Sequence, residues 1–292
     1  LNLDEATVVS LLAATTAAFA SRHKDLQRIF LERFEEVWDS TPPGDEISES
    51  RKSLIGSYFL SEYSIESAAL FNPSIVPHPD QSLVPDGCLR FILSLRATGE
   101  GHISSITFRT GILQADQRIE IVTPTGLLTE PKQIPNALYE TPLFTRKLAE
   151  LGIDCSFTKA VMARLGAWFT LREIRNSLDK QLHLDGDLPT ASGIWSLVRS
   201  NHEVQFQPDQ ELSERILFPA TPSQRNGIED ARFVRFVHDD GSVKYFATFT
   251  AYDGKVVMPE LVETEDFLRF RFTTLNGPAA ITKRMALFPR NI

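Results

Sequence analysis

Asn226-Gly227-Ile228-Glu229-Asp230-Ala231-Arg232-Phe233-Val234-Arg235-Phe236 is the stretch whose reading decides the fold. A glycine turn delivers two carboxylates and an arginine into an apolar strand pattern, and Asp239-Asp240-Gly241 then marks a tight hairpin turn. The next strand pattern, Tyr245-Phe246-Ala247-Thr248-Phe249-Thr250, runs into Ala251-Tyr252-Asp253-Gly254. Further strands are expected at Lys255–Met258 and Phe267–Phe272, preceded in the chain by Glu203–Phe206.

The same grammar appears upstream. Leu89–Arg96 and Ile103–Arg109 alternate with period two on either side of Ala97-Thr98-Gly99-Glu100-Gly101-His102, which predicts an antiparallel hairpin. A dinucleotide-binding loop is excluded here, because that loop needs a strand before it and a helix after it. Arg118–Val122 supplies a third strand. Phe71-Asn72-Pro73-Ser74-Ile75-Val76-Pro77-His78-Pro79 is too proline-rich for a helix or a central strand and reads as an irregular lead-in.

Helical periodicity occupies the remainder. Residues 3 to about 38 read as helix, with Leu26, Ile29, Phe30, Phe34, Val37 and Trp38 on one face. Asp39-Ser40-Thr41-Pro42-Pro43-Gly44 ends it. A short packed helix is expected between Ser53 and Ala69, around Leu54 and Tyr58. From about 135 to 200, apolar residues from Leu143 to Leu182 fit two or three amphipathic helices inserted between β segments. Residues 1–68 thus form an N-terminal helical region, and residues 69–292 form a mainly β domain with a helical insertion.

The global quantities narrow the function classes. The 292 residues carry a net charge of −8 with 42% hydrophobic and 23% charged residues, which gives a nucleic-acid role no electrostatic support. Cys88 and Cys155 stand alone in sequence, so no metal or redox motif is expected. No apolar run reaches the ~18 residues that span a bilayer, and no signal-peptide pattern is visible, so a cytoplasmic location is expected with no membrane partner. The chain begins with Leu rather than Met, which admits a leader removed earlier.

The "G-I-E-D-x-R" turn at 227–232, the "T-A-Y-D-G" loop at 250–254 and the "L-R-A-T-G-E-G-H-I-S-S-I" hairpin at 95–106 together resemble glycoside hydrolase family 130. The Asn72-Pro73-Ser74 stretch and Lys283-Arg284-Met285-Ala286-Leu287-Phe288-Pro289-Arg290 resemble it too. The resemblance covers Ala69–Gly111 and Pro222–Arg290. It implies a five-bladed β-propeller that cleaves β-mannosides, of β-1,2-linked or mannosyl-glucose type, with inversion. The chain holds material for about two and a half to three blades of four strands. A missing C-terminal fragment or a second copy, as in a homo-oligomer, is therefore expected to complete the ring.

Residue by residue, the resemblance makes Asp230 the general acid, acting in the phosphorylases of the family through a hydroxyl of the mannose. Ala231 stands where the family has proline. Strand alternation places Glu229 and Asp230 on opposite faces, so Asp230 is expected to point into the site, with Arg232 on its face. An inverting hydrolase needs a second carboxylate about 6.5–9.5 Å away to activate water; Glu263, Asp253 and Glu100 are candidates, Glu263 first. A phosphorylase instead takes inorganic phosphate as co-substrate in a cationic pocket, for which Arg96, His102, Arg109 and Lys283 are candidates. Asn72 is expected to bind a sugar hydroxyl and Tyr252 to stack on a sugar ring. No metal or other cofactor is required. Two rivals from other classes remain open: a non-catalytic glycan-binding propeller and a subunit whose partner completes the assembly.

Overall fold

A computed structural model describes residues 2–38, 47–134, 138–254, 257–280 and 285–291. The expected helix stop at 39–44 and the candidate Lys283 lie outside the described residues. The chain divides into two compact units, Leu1–Ser64 with Thr125–Leu128, and Ile65–Pro124 with Thr129–Ile292.

The first unit is helical: α1 (Glu5–Phe19), α2 (Leu26–Val37) and α3 (Glu49–Tyr58). The helix expected over 3–38 is two helices, because Asp25 takes a left-handed φ of 54° that breaks the ladder before Leu26. Leu26, Phe30 and Phe34 form the buried stripe of α2, as their spacing dictates. α3 packs closely on it at Gly56, where a Cβ would lie 1.8 Å from the Phe30 carbonyl oxygen. Tyr58, in contrast, is 72% exposed. An open hollow of about 820 Å³ in this unit is bordered by Thr16, His23, Arg28 and Glu32, and none of the candidate site residues lines it.

The second unit opens with β1 (Ala69–Pro77), β2 (Leu89–Thr98), β3 (Ser104–Leu113) and β4 (Ile119–Ile121), an antiparallel meander in the order β1-β2-β3-β4. The proline-rich lead-in is therefore a strand. It tolerates Pro73 and Pro77 because it lies at the sheet edge, hydrogen-bonded only to β2, and because a register shift between Phe71 and Ser74 takes up Pro73. The expected hairpin is present in unbroken register from Leu89↔Leu113 to Thr98↔Ser104.

Next come β5 (Lys132–Ile134), β6 (Leu138–Glu140), α4 (Thr141–Glu150), α5 (Ser156–Met162), β7 (Trp168–Thr170), α6 (Leu171–Asp185) and α7 (Leu188–Ser200). β6 and β7 form a two-stranded sheet, and the helices close over a core of their own built on Phe144, Leu148, Phe157, Phe169, Ile174 and Ile194. Thr170 and Glu173 form a reciprocal capping box at the start of α6. Trp168, on β7, is 51% exposed.

The chain returns to strands with β8 (His202–Gln205), β9 (Ile216–Leu217), β10 (Ile228–Val237), β11 (Val243–Tyr252), β12 (Val257–Thr264) and β13 (Arg269–Thr274). β10 to β13 form a second antiparallel meander, extended by β8 and β5, while β9 joins β3 of the first sheet. The described residues thus make a mixed fold of seven helices and mostly antiparallel sheets, with no closed barrel.

The two meanders share one core. Val76, Ile92, Ile106 and Phe108 from the first pack with Phe233, Tyr245, Phe249, Val262 and Phe270 from the second. Phe108 is the hinge of this packing: its ring lies 6.0, 5.7 and 5.9 Å from Phe233, Phe267 and Phe270. Edge strands β1 and β10, each first in its meander, come side by side. The Phe233 amide donates to Ser74 Oγ at 2.9 Å, and the Tyr245 hydroxyl donates to the Pro77 carbonyl at 2.8 Å. A pair of edges that would otherwise offer unpaired backbone groups is tied together in this way.

Candidate functional site: two facing bulges and an arginine

β10 breaks register between Glu229 and Arg232, so Asp230 and Ala231 share the place opposite Phe249. Asp230 stands there at a φ of 55°. Across from it, β1 breaks register between Phe71 and Ser74, and Asn72 stands at a φ of 51°. Asn and Asp are the side-chain-bearing residues that best tolerate this left-handed region, and such bulges re-aim side chains beside functional sites. The two bulges point at each other: the Asn72 amide donates to the Asp230 carboxylate.

Arg96 on β2 completes the group. It donates to Glu229 at 2.9 Å, to Asp230 at 3.3 Å, and through Nε to Ser104 Oγ on β3 at 2.9 Å. Its guanidinium also lies 5.1 Å from the centre of the Phe71 ring. Asp230 is only 8% exposed, and the side chains of Glu229 and Arg96 are 17% and 18% exposed. A fork of five donors suits this place, since one guanidinium can serve two carboxylates and a hydroxyl at once.

The expectation that only one of Glu229 and Asp230 enters the site is corrected here. The left-handed turn at Asp230 breaks strand alternation, so both carboxylates reach the same arginine. The added residue also puts Arg232 on the face of Glu229 rather than that of Asp230, since they pair with Thr248 and Thr250. Arg232 donates to the Pro73 carbonyl at 3.1 Å and braces the opposing bulge.

Gly227 lets the two sheets close at this point. Its φ is 130°, and a Cβ there would stand 2.9 Å from the Ser104 amide nitrogen. The turn carrying the carboxylates therefore lies directly against the first residue of β3. Glu100 and His102 are exposed in the tight turn that precedes Ser104, with Gly101 and His102 both at positive φ.

Other candidates have partners of their own. Arg109 is 8% exposed and grips the half-buried Glu66 with contacts of 2.6 and 2.8 Å, so its guanidinium is already engaged. Glu263 is paired with Phe246, itself paired with Val234, which sets it two strands across and four residues along from Asp230. There it lies between Lys244 at 3.6 Å and Arg271 at 3.5 Å. The Tyr252 hydroxyl donates to the Gly254 carbonyl, and the Asp253 carbonyl accepts from Arg225, so this loop is held by its own neighbours.

Three participants escaped the sequence reading. Ser104 and Phe71 are ordinary strand residues whose role depends on a partner across the sheet. Glu260 had a local signal: it shares the inward parity of Val262 and Thr264 on β12, where a charge is out of place. It is fully buried, accepts from Ser223 Oγ at 2.9 Å and Gln224 Nε2 at 3.0 Å, and is pushed up by that burial to about 7. Among the described residues, no group of three or more His, Cys, Asp or Glu side chains is placed to hold a metal ion, and no helix is long and apolar enough to cross a membrane.

No family model matches the chain, and no curated protein or solved structure matches it.

Proposed function

We propose that the chain is a carbohydrate-active enzyme that cleaves β-mannosides with inversion, by hydrolysis or phosphorolysis, with Asp230 as the proton donor. The observation that carries this reading is the pair of facing bulges that brings Asn72, Arg96, Glu229 and Asp230 together from three strands. Adjacent carboxylates, an amide and a guanidinium supply the acceptors and donors that sugar hydroxyls take up.

In this reading Asp230 gives its proton, through a mannose hydroxyl, to the glycosidic oxygen as the bond from that oxygen to the anomeric carbon breaks. Inorganic phosphate, or water as it gives up a proton to a second carboxylate such as Asp253 or Glu100, attacks the opposite face of the same carbon and forms the new bond. Asn72 orients the acid, and Arg96 fixes the two carboxylates relative to each other. The paired meanders, with β1 and β10 innermost and adjacent, support two blades of a five-bladed propeller, with its axis beside the bulges. A second copy or a further segment of chain would complete the ring.

A glycan-binding propeller without catalysis is the second reading. It is favoured by one observation: Arg96 already engages both carboxylates, and an ion-paired carboxylate is a sugar-hydroxyl acceptor rather than a proton donor. Turnover of β-1,2-mannobiose by the native protein and its loss in Asp230→Asn decides for the enzyme. Binding of mannobiose without turnover decides for the module.

A further inference from the structure

The turn that leads into the two carboxylates is fastened from below. Residues 222–224 form a single tight helical turn, and its Ser223 and Gln224 side chains both donate to the buried Glu260 of β12. Gln224 also accepts the Ala220 amide through Oε1, and its carbonyl accepts the Gly227 amide at 2.7 Å. Ser223 in turn accepts from Ser200, the last residue of α7, at 2.9 Å. The Asn226 amide donates to the Tyr252 carbonyl at 2.8 Å, which fixes the next residue to β11.

A carboxylate with no exposed surface cannot touch a substrate, and burying one without need is costly. Its two acceptor oxygens are spent on the two side chains of one turn, three residues before Gly227. We infer that Glu260 is a positioning residue: it holds the 222–227 turn in register against β11, and through Gly227 sets the place of Glu229 and Asp230 against Arg96.

The charges around it are few. Among the described residues, Lys147 of α4 is the cation that acts on it, and its amine is taken up by the Leu275 carbonyl at 2.7 Å and by Glu150 at 3.4 Å. Ser223 and Gln224 from the turn are neutral, as is Ser200 from α7. On β8, His202 is pushed down to about 4 by burial, so it carries no charge near neutrality. With so little compensation the carboxyl of Glu260 changes charge close to neutral pH, and a protonated carboxyl keeps only one strong acceptor for two donors. The grip on the turn is therefore expected to loosen as pH falls through neutrality.

Hydrogen exchange of the full chain, with rates corrected for the intrinsic effect of pH, reads this directly. The probes are the Gln224, Asn226 and Gly227 amides, with the 89–113 hairpin as the internal control. Glu260→Ala is expected to speed exchange at the three probes at least tenfold while the hairpin is unchanged. Glu260→Gln, which keeps shape and one acceptor, is expected to exchange at a rate independent of pH between 6 and 8, where the native protein slows as pH rises. Native rates at the probes in Glu260→Ala, or a pH dependence that survives in Glu260→Gln, overturn the inference. If Glu260→Ala does not fold, the Gln variant decides alone.

A kinetic arm rests on the reading of the site as a mannoside-cleaving centre. There, Glu260→Gln lowers kcat with KM within about twofold and removes an inflection near pH 7. If the native protein cleaves no mannoside, that functional reading fails, and the exchange rates still decide the role of Glu260.

Discussion

Asn72 and Asp230 meet across two edge strands, each at the left-handed position of its own bulge, with the amide of one donating to the carboxylate of the other. The meeting requires both bulges: regular alternation in either strand would turn one side chain away. The site is thus a property of two local backbone distortions held in opposition.

At position 72, backbone conformation and hydrogen bonding separate experimentally. Asn72→Gly keeps the left-handed φ and loses only the amide, so a cost of about 1 kcal/mol is expected. Asn72→Val puts a β-branched residue at that φ and is expected to cost about 2–3 kcal/mol. Urea unfolding of both variants checks the order; equal midpoints contradict a strained bulge.

Arg96 is expected to matter to the fold as well as to the site. Arg96→Met leaves two carboxylates side by side, both largely buried, and is expected to cost about 2–4 kcal/mol. Adding Glu229→Gln in the same chain should recover part of that loss, because one unpaired charge is removed. Additivity of the two changes in a double-mutant cycle contradicts a shared guanidinium.

Arg109 is expected to act through stability alone. Arg109→Gln strands Glu66 and is expected to cost about 2 kcal/mol, while any dependence of turnover on phosphate stays unchanged. A raised KM for phosphate with native stability would return Arg109 to the anion site.

Much of this arrangement is legible in the chain. The hairpin at 89–113 and the meander from 228 onward follow from alternation and turn residues, and Asn72, Arg96, Glu229 and Asp230 were each identifiable as candidates. Their convergence was not, because two bulges and an inter-sheet contact at Ser74 decide it, and no periodicity reports these. Proline at 73 and 77 argued against a central strand but was silent about an edge strand. The break at Asp25 was hidden because the apolar spacing of α2 continues the helical pattern on one side only. Glu263 and Arg109 looked available because sequence does not show the Lys244, Arg271 and Glu66 partners that occupy them.

Global unfolding has a Glu260 pH dependence opposite in sign to that of the turn, because unfolding exposes the carboxyl to water, whereas opening of the turn leaves it buried and removes only its two donors. Burial raises its pKa from the ordinary 4.5 to about 7, so the folded chain binds the proton more tightly than the unfolded one. The resulting stability is fully present below pH 4.5 and is lost as pH rises to about 7, at up to roughly 1.4 kcal/mol per pH unit. Glu260→Gln should flatten this contribution, so the stability difference between variant and native protein should change between pH 4.5 and 7 and stay constant above. A constant difference across the whole range contradicts a buried, raised carboxyl.

Product analysis on β-1,2-mannobiose, with and without inorganic phosphate, for the native protein and Asp230→Asn, tests the central claim most directly. Asparagine tolerates the left-handed φ at 230, so the variant is expected to fold as the native chain does. The account predicts mannose, or mannose 1-phosphate only where phosphate is present, from the native protein, with turnover at least ~100-fold lower in the variant. Native turnover in Asp230→Asn, or no product from the native protein in either tube, would contradict it.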